Sequence, residues 1–253
     1  MNVEQSRWKG AVALVTGASS GIGRAVAKDL HSAGCKLAVC ARRIERLDAL
    51  KDELQGTHAD FQGFQVDLRD TSSILAMFSK IRSQWGGVDI LINSAGTGHM
   101  TSLIDGAEDD WRDIFDVNVL ALSVCTREAV QDMLRRQTPG HIIHISSMSA
   151  HRVPKGAGMY AASKYAVRAL TEGLRLELQE HHADIRISSV SPGTVETEFA
   201  ERVTKSKDLA TQIYSRFKTL QAEDIASTVH FILHAPQHMQ LHDVLIRPTK
   251  QPS

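Results

Sequence analysis

The sequence predicts an α/β fold built on one doubly wound, seven-stranded parallel sheet with helices on both faces. Short apolar runs alternate with longer stretches of helical period along the whole chain, and this alternation is typical of strand–helix–strand units. The runs are rich in Val, Ile and Leu with little alternation of polarity, which indicates strands covered on both faces. Because no repeat, low-complexity linker or break in composition marks a second domain, we predict a single domain over residues 1–253.

The elements of this fold can be placed in order along the chain. The predicted strands span 11–16, 36–41, 61–66, 88–93, 141–146, 185–190 and 243–247. The predicted helices span 22–33, 45–54, 72–84, 109–136, 159–181 and 222–234. Residues 194–220 form the one long interruption of the alternation. Because ligands of such sheets bind outside the carboxyl ends of the strands, we predict that this insertion is a substrate loop.

Composition and charge limit the classes of function. Of the 253 residues, 42% are hydrophobic, which is enough for a sizeable core. The 29 basic and 29 acidic residues give no net charge, so the sequence favours neither nucleic acid nor an anionic membrane as a partner. No apolar run approaches the ~20 residues of a membrane span, and MNVEQSRWKG at the start lacks a signal core. The three cysteines form no C-x-x-C pair, as expected of reduced thiols, and the predicted location is cytoplasmic.

A glycine-rich loop, T-G-A-S-S-G-I-G at 16–23, directly follows the first strand and opens the first helix. Gly17 would permit the tight turn, Gly21 a close approach of the backbone to a pyrophosphate, and Gly23 close packing of the helix. The helix N-terminus would offer free N–H groups and partial positive charge to phosphate. Glycines also end strands for purely steric reasons, but the position in the first βα turn favours a dinucleotide site.

The end of the second strand bears on the choice between NAD and NADP. An acidic residue there would accept the ribose 2′-hydroxyl and repel a 2′-phosphate. This chain has Ala41 at the position, followed by Arg42 and Arg43. Guanidinium groups hold phosphate through paired, charge-assisted hydrogen bonds, so the sequence favours NADP(H). The alternative is a solvated basic helix start, which fits Arg43 better than Arg42.

Ordered motifs along the chain give it a resemblance to a known family. They are TGASSGIG, VDL with Asp67, NSAG at 93–96, DVNV with Asn118, ISS ending at Ser147, YAASK with Tyr160 and Lys164, and SPGTVET. On these motifs the sequence resembles the short-chain dehydrogenase/reductase family over essentially its whole length. The resemblance implies a Rossmann sheet of strand order 3-2-1-4-5-6-7, oxidoreductase activity, and a homotetramer or homodimer built on the two long helices. Ser94 stands where the family commonly has a second Asn, and we expect only a small local change in hydrogen bonding.

Three further stretches, LALSVCTREA, ISSMSAHRV and IRPT, resemble one branch of that family. This is the NADP-dependent branch that contains dehydrogenase/reductase member 11, with 3-hydroxy acid dehydrogenases and farnesol dehydrogenase-like enzymes nearby.

Tyr160 and Lys164 stand four residues apart in a predicted helix, which places both side chains on one face. A free phenol has a pKa of about 10 and transfers protons poorly at neutral pH. The nearby ammonium, together with the positive nicotinamide of the oxidised cofactor, is expected to lower the pKa of Tyr160, which would then exchange a proton with the substrate oxygen. Lys164 would also hold the nicotinamide ribose. Tyr165 is turned about 100° from Lys164 and is assigned to packing or a subunit contact.

The resemblance adds Ser147 and Asn118 to the predicted catalytic residues Tyr160 and Lys164. Ser147 would hydrogen-bond the substrate oxygen and stabilise charge that develops there. Asn118 interrupts an apolar segment, where a polar side chain needs partners. It either satisfies local backbone groups or, as the family implies, also organises a water that relays protons through Lys164.

The glycine loop, the arginines and the resemblance together give a longer set at the cofactor. The predicted cofactor-binding residues are Gly17, Ser19, Ser20, Gly21, Ile22, Gly23, Arg42, Arg43, Asp67, Leu68, Asn93, Ala95, Gly96, Tyr160, Lys164, Pro192, Gly193, Val195 and Thr197.

Histidines recur every four residues from His230 to His242, a spacing that raises the question of a metal. Pro236 should end the helix after His234, so only two of these histidines could share a helix turn. Because two ligands do not make a structural zinc site, no metal site is predicted. His144 in the fifth strand is interpreted as a core histidine with satisfied hydrogen bonds.

The substrate is indicated by the candidate walls of the cleft, 98–100, 148–153, 194–199 and 214–217. Their aliphatic and aromatic members favour a small-molecule secondary alcohol or ketone, or a primary alcohol or aldehyde, of medium size. A 3-hydroxy acid would need a cation at its carboxylate, for which Arg152 is the nearest candidate.

A rival class of function is a non-catalytic NADP-binding redox sensor or scaffold with the same fold. Loss of Ser147, Tyr160 or Lys164 would have favoured this class, and all three are present.

Overall fold

The computed structural model describes residues 7–54, 60–181 and 183–252. Within them, seven strands form one sheet in the order β3-β2-β1-β4-β5-β6-β7, and every pairing is parallel. The strands are β1 Val12–Thr16, β2 Lys36–Ala41, β3 Phe61–Gln65, β4 Ile90–Asn93, β5 Gly140–Ile145, β6 Ile185–Pro192 and β7 Asp243–Ile246. The predicted fold class and strand order are confirmed.

Helices connect the strands and lie over both faces of the sheet. They are α1 Gly21–Ser32, α2 Ile44–Glu53, α3 Thr71–Trp85, α4 Glu108–Phe115, α5 Leu122–Arg136, α6 Gly158–Glu180, α7 Phe199–Thr204, α8 Lys207–Tyr214 and α9 Ala222–His234. The single helix predicted over 109–136 is divided, because a π-helical segment at Asp116–Ala121 joins α4 to α5. A 3₁₀ turn at Met148–Ala150, which was not predicted, follows β5.

Each face of the sheet is covered by its own layer of buried side chains. On one face, Val15 of β1 packs in a cluster with Leu30 of α1. On the other face, Leu14 packs in a cluster with Phe78 of α3 and Met133 of α5. Because successive strand residues point to opposite faces, a strand covered on both sides is apolar throughout. This is why the strand sequences show no alternation.

The insertion over 194–220 carries α7 and α8 and returns to the place where it begins. Val195 and Leu220 form a parallel bridge. The N–H of Glu196 donates to the Leu220 oxygen at 2.9 Å, and the N–H of Leu220 donates to the Thr194 oxygen at 3.1 Å. These bonds hold both ends of the insertion next to the carboxyl end of β6.

The described ranges contain no helix that combines the length and apolar character needed to cross a membrane. They also contain no group of three or more His, Cys, Asp or Glu side chains placed to hold a metal ion. Helix α9 ends at His234, as Pro236 predicts. The His230 and His234 rings stack with their centroids 4.0 Å apart, and His230 Nδ1 lies 2.9 Å from Asp29 Oδ2.

Two histidines of β5 lie uncharged in the core. His144 Nδ1 lies 3.0 Å from Thr171 Oγ1, and its Nε2 lies 3.2 Å from Thr126 Oγ1. His141 Nε2 lies 2.9 Å from Ser188 Oγ. Both histidines are 1% exposed, and loss of solvation lowers the pKa of each to about 3. The interpretation of His144 as a satisfied core histidine is confirmed.

These histidines should make the fold sensitive to acid. Their pKa falls from 6.5 in the unfolded chain to about 3 in the fold, so their contribution to stability is present above pH 6.5 and is lost progressively as the pH falls towards 3. At about pH 5 the loss should be about 2 kcal/mol for each histidine. In His144→Gln, the fall in the free energy of urea unfolding between neutral pH and about pH 5 should shrink by about 2 kcal/mol.

The exposed His238 provides a matched control. His238→Gln should keep the full fall in unfolding free energy. An undiminished fall in His144→Gln would show that His144 does not cause the acid sensitivity.

Candidate active site

A cleft of about 500 Å³ opens at the carboxyl edge of the sheet. Each of the first six strands contributes to its lining through the residues that end or follow the strand. These lining segments include 17 and 19–23, 41–43, 66–69, 94–97, 145–149 and 192–195. The start of α6 and the insertion complete the walls, so the cleft lies where ligands of open α/β sheets bind.

The glycine loop forms a narrow cradle on one side of this cleft. Gly17 has φ +70°, and a Cβ there would lie 2.8 Å from the Ala95 Cα. A Cβ on Gly23 would lie 2.5 Å from the Gly17 carbonyl oxygen. The N-cap residue Ser20 makes no side-chain capping bond to the first turn of α1. Backbone N–H groups at a helix N-terminus with this positive partial charge fit a pyrophosphate.

The neighbouring loop is held in place by Thr16, which the sequence reasoning did not assign to the site. Thr16 Oγ1 accepts hydrogen bonds from the N–H groups of Ser94 and Ala95, both at 3.1 Å. It also donates to the Ile92 carbonyl oxygen at 3.4 Å. Because the bond from Ser94 uses its backbone N–H, replacing the family's Asn by Ser leaves this contact intact. The only feature of the sequence that could have indicated this role is that Thr16 is the first residue of the TGASSGIG motif, at the end of β1.

The structure differs from the prediction for Asn93. Its side chain is 2% exposed, does not line the cleft, and donates from Nδ2 to Thr126 Oγ1 at 2.9 Å. Asn93 therefore joins β4 to α5 in the core, away from the lining of the cleft. All the other predicted cofactor-binding residues line the cleft.

Asn118 lies in the π-helical segment and is 1% exposed. Its Oδ1 accepts from the N–H of Thr97 at 2.8 Å, while Nδ2 donates to the Thr97 carbonyl oxygen at 2.9 Å and to Ser163 Oγ at 3.0 Å. The residue does not line the cleft, but a Cβ on Gly96 would lie 3.5 Å from Asn118 Oδ1 and 3.9 Å from Lys164 Nζ. Asn118 thus satisfies local polar groups and fastens the loop after β4 to α6.

Ser147, Tyr160 and Lys164 line the same cleft. Ser147 is the N-cap of the 3₁₀ turn, and its Oγ accepts from the N–H of Ser149 at 3.0 Å. This bond leaves the hydroxyl hydrogen of Ser147 for another acceptor. The Lys164 side chain is buried, and its Nζ donates to the Ile145 carbonyl oxygen at 3.0 Å.

The expected lowering of the Tyr160 pKa combined the Lys164 ammonium with the nicotinamide of the oxidised cofactor, and the protein groups alone act in the opposite direction. Burial raises the pKa of Tyr160 to about 12, and the opposing effect of a hydrogen bond with Ser147 is smaller. Burial also lowers the pKa of Lys164 to about 8. The ammonium is 5.8 Å from the centre of the phenol ring and is directed at Ile145, so loss of solvation dominates. At neutral pH the phenol keeps its proton.

The two arginines after β2 also differ from the expectation. Arg42 is exposed at the cleft, whereas Arg43 Nη2 lies 3.4 Å from Ser19 Oγ and 3.1 Å from Glu198 Oε2. Arg43, and not Arg42, therefore makes the direct contact with the glycine loop. Arg202 of α7 lines the cleft as well, and no sequence spacing pointed to it.

The part of the cleft next to Tyr160 combines apolar groups with one arginine. Its lining includes Met148, Phe199, Val203 and Tyr214. The Phe199 and Tyr160 rings are 5.6 Å apart at their centroids, tilted by 49°. Of the predicted walls, 98–100 do not line the cleft.

Arg152 lines the cleft, and its Nε is buried without a hydrogen-bond partner among the described residues. The adjacent His151 is engaged elsewhere, with Nε2 at 3.0 Å from Asp243 Oδ2 and 3.3 Å from Ser191 Oγ. His151 thereby holds the loop against β6 and β7, while the neighbouring arginine lines the cleft.

Comparisons with known proteins agree with this geometry. A family model described as short chain dehydrogenase matches residues 11–208. Dehydrogenase/reductase SDR family member 11 of Bos taurus is 47% identical over 253 residues, which cover 97% of this chain and 98% of that protein. Farnesol dehydrogenase of Aedes aegypti is 37% identical over 247 residues, covering 96% of this chain and 97% of that protein.

Solved structures show the same architecture. The closed form of serine dehydrogenase complexed with NADP+ matches with a TM-score of 0.88 and 31% identity, covering 96% of each chain. A short chain dehydrogenase/reductase from Burkholderia phymatum in complex with NAD matches with a TM-score of 0.84 and 27% identity, covering 94% of this chain and 89% of that one. Both forms of the dinucleotide thus occur among structures of this fold.

The hydrogen bonds of Asn118 should contribute measurably to the free energy of unfolding. Asn118→Ala leaves the N–H and carbonyl groups of the half-buried Thr97 without their partner, and we expect a loss of about 1–3 kcal/mol in the free energy of unfolding. Urea unfolding followed by circular dichroism measures this loss. Ser123→Ala, which removes only a bond to the carbonyl oxygen of Val119 in the preceding helix turn, should change the unfolding free energy by less than about 1 kcal/mol. Equal losses in the two variants would contradict the role given to Asn118.

Proposed function

The chain belongs to the short-chain dehydrogenase/reductase family of oxidoreductases, and on that premise we propose that it interconverts an alcohol and a carbonyl compound with NADP(H). The two compounds interconverted would be a secondary alcohol and the corresponding ketone, or a primary alcohol and the corresponding aldehyde. The observation that carries the proposal is that Ser147, Tyr160 and Lys164 line one cleft together with the glycine loop. A non-catalytic sensor would not require this set of three side chains.

The cleft offers separate groups for each part of a dinucleotide. The N–H groups at the start of α1 would hold the pyrophosphate. Arg42 and Arg43 would hold a 2′-phosphate, since no carboxylate stands at position 41 to repel it. Lys164 would hold the nicotinamide ribose. When bound, the cofactor supplies or accepts the hydride.

Tyr160 and Ser147 would act on the substrate oxygen. With a pKa of about 12, the Tyr160 phenol carries its proton at neutral pH and can donate it to an oxygen that becomes an alkoxide. The Ser147 hydroxyl would donate a hydrogen bond to the same oxygen and stabilise the developing charge. The Lys164 ammonium, with a pKa of about 8, remains charged near neutral pH and would stabilise the phenolate that Tyr160 leaves.

The lining favours a medium-sized carbonyl compound, since Met148, Val203 and Phe199 offer apolar contacts. A second candidate is a 3-hydroxy acid, which the buried, unpartnered Nε of Arg152 favours. The named relatives span both chemistries, because farnesol is an apolar alcohol and serine is a hydroxy acid.

We also propose a cytoplasmic homodimer or homotetramer built on α5 and α6. Tyr165 and Leu176 lie three turns apart on one face of α6 and are 41% and 48% exposed. Apolar side chains repeated on one exposed helix face are typical of subunit contacts. The buried, unpaired thiols of Cys35, Cys40 and Cys125 fit a reducing compartment.

Tyr160→Phe tests the proposed reaction, because it removes the proton donor and keeps the ring. Reduction is followed by NADPH consumption with ketosteroids, diketones, quinones, prenyl aldehydes and 3-oxo acids. We expect the rate to fall about 100- to 10,000-fold while NADPH still binds. Tyr165→Phe, a change of the same size on the same helix, should keep full activity. A native protein that binds NADPH and reduces none of these compounds would favour the sensor, and an active Tyr160→Phe would remove Tyr160 from the reaction.

Arg152→Gln distinguishes the two substrate classes. If Arg152 binds a carboxylate, kcat/KM for a 3-oxo acid should fall about 10- to 100-fold, because a charge-assisted hydrogen bond is lost. The value for the methyl ester of the same acid should stay unchanged, and Arg152→Lys should restore part of the loss. An equal fall for acid and ester would show that Arg152 only shapes the cleft.

A further inference from the structure

Glu198 lies between the insertion and the arginines that follow β2. It is the N-cap residue of α7. None of the sequence motifs that predict a cofactor site includes it. Its Oε2 is 3.1 Å from Arg43 Nη2, and its Oε1 pairs with Arg46 Nη1. Arg43 in turn reaches Ser19 Oγ of the glycine loop at 3.4 Å. One carboxylate from the insertion is therefore engaged with two guanidinium groups at the edge of the cofactor cradle.

The surroundings of Glu198 are strongly positive. Arg42, Arg43, Arg46 and Arg202 lie close enough together that each of the first three lowers the pKa of Arg202. Burial alone would raise the pKa of Glu198, but hydrogen bonds from Arg46 and Arg43 outweigh it and hold the pKa below its usual value. The carboxylate is thus ionised at neutral pH. Of the four arginines, only Arg43 and Arg46 pair with this carboxylate, and Arg42 and Arg202 lie close by, so the cluster retains positive charge for a second anion.

We propose that Glu198 competes with the 2′-phosphate of NADP(H) for Arg43, and thereby sets how strongly the protein prefers NADP(H) over NAD(H). This inference rests on the proposed function, because it takes the 2′-phosphate to be a ligand of Arg43.

The exposure of the ion pairs determines how strong this competition is. The side chains of Arg43, Arg46 and Glu198 are 38%, 39% and 38% exposed. An ion pair that is so exposed to water changes an equilibrium by no more than about fivefold. A phosphate group carries more charge than a carboxylate and forms stronger paired bonds with guanidinium. The phosphate therefore displaces Glu198, but with a lower net affinity than it would have if the arginines were unpaired.

NADH meets no such competition. Its adenosine ribose carries a hydroxyl in place of the phosphate, so its binding does not require Arg43 to release Glu198. A change at Glu198 should consequently act on one cofactor and not on the other.

The neighbours of Glu198 determine which substitution is informative. Thr197 packs against Gly21 of the glycine loop. A Cβ added to Gly21 would lie 3.0 Å from Thr197 Cγ2. Phe199 packs against the ring of Tyr160. Glu198→Gln keeps the size and shape of the side chain but removes its charge and replaces one acceptor oxygen with an NH2 group, and it leaves both contacts in place. Glu201→Gln is the matched control, because it makes the same charge change on the same helix and Glu201 forms no ion pair within the described chain.

The experiment measures dissociation constants by titration calorimetry on the full chain with NADPH and NADH, and with adenosine 2′,5′-bisphosphate and 5′-AMP as fragments. In Glu198→Gln, NADPH and the bisphosphate should bind about two- to fivefold more tightly. NADH and 5′-AMP should bind as they do to the native protein, and Glu201→Gln should change none of the four. The gain for NADPH should shrink in the Arg43→Ala background, because the arginine for which the two anions compete is then absent.

Each other outcome would overturn the proposal. Unchanged NADPH affinity would show that Glu198 does not compete, and weaker binding would show that Glu198 positions the arginines for the phosphate. Equal tightening of NADPH and NADH would indicate a general charge effect. The cofactor assignment fails independently if Arg43→Ala and Arg42→Ala leave the native preference between NADPH and NADH unchanged.

Discussion

The hydrogen bond from Lys164 Nζ to the Ile145 carbonyl oxygen fixes the geometry of the whole site. An ammonium that is only 5% exposed needs a polar partner, since an unpaired buried charge is costly. The last residue of β5 supplies this partner and so fixes the position of α6 along the strand. Ser147 follows Ile145 by two residues, and Tyr160 precedes Lys164 by about one helix turn. The bond thereby helps to keep Ser147 and Tyr160 beside the same cleft.

The same burial controls the proton chemistry. Loss of solvation disfavours the charged form of both groups, so it raises the pKa of Tyr160 and lowers the pKa of Lys164. Phenol and ammonium are consequently the forms present near neutral pH. In the proposed reaction, this pair would donate a proton to a carbonyl oxygen without any prior change. The reverse reaction would need the phenolate, which the protein groups alone do not favour, so that direction would require additional positive charge beside the phenol.

Features that depend on local spacing were predictable from the sequence, and those that depend on long-range contact were not. The strands, the glycine loop and the Tyr160 to Lys164 spacing follow from short-range patterns, and the strand order follows from the family. The polar Asn118 inside an apolar run indicated a special position, but not the π-helical segment that accommodates its three hydrogen bonds. The hydrogen bond from Asn93 to Thr126 and the ion pair of Arg43 with Glu198 join residues far apart in the chain. No periodic pattern in the sequence indicates such contacts. The direction of the Tyr160 pKa depends on burial, which a sequence does not display.

One short segment of the insertion contacts both ends of the cleft. Three successive residues contact three different parts of the site: Thr197 the glycine loop, Glu198 the arginines after β2, and Phe199 the ring of Tyr160. The bridge between Val195 and Leu220 fixes the ends of the segment, so it cannot shift as a whole away from β6. Because Phe199 packs on the ring of Tyr160, the contacts with the glycine loop, with the arginines and with Tyr160 all come from one short stretch of chain whose ends are fixed. The position of each of these three contacts therefore depends on the same backbone.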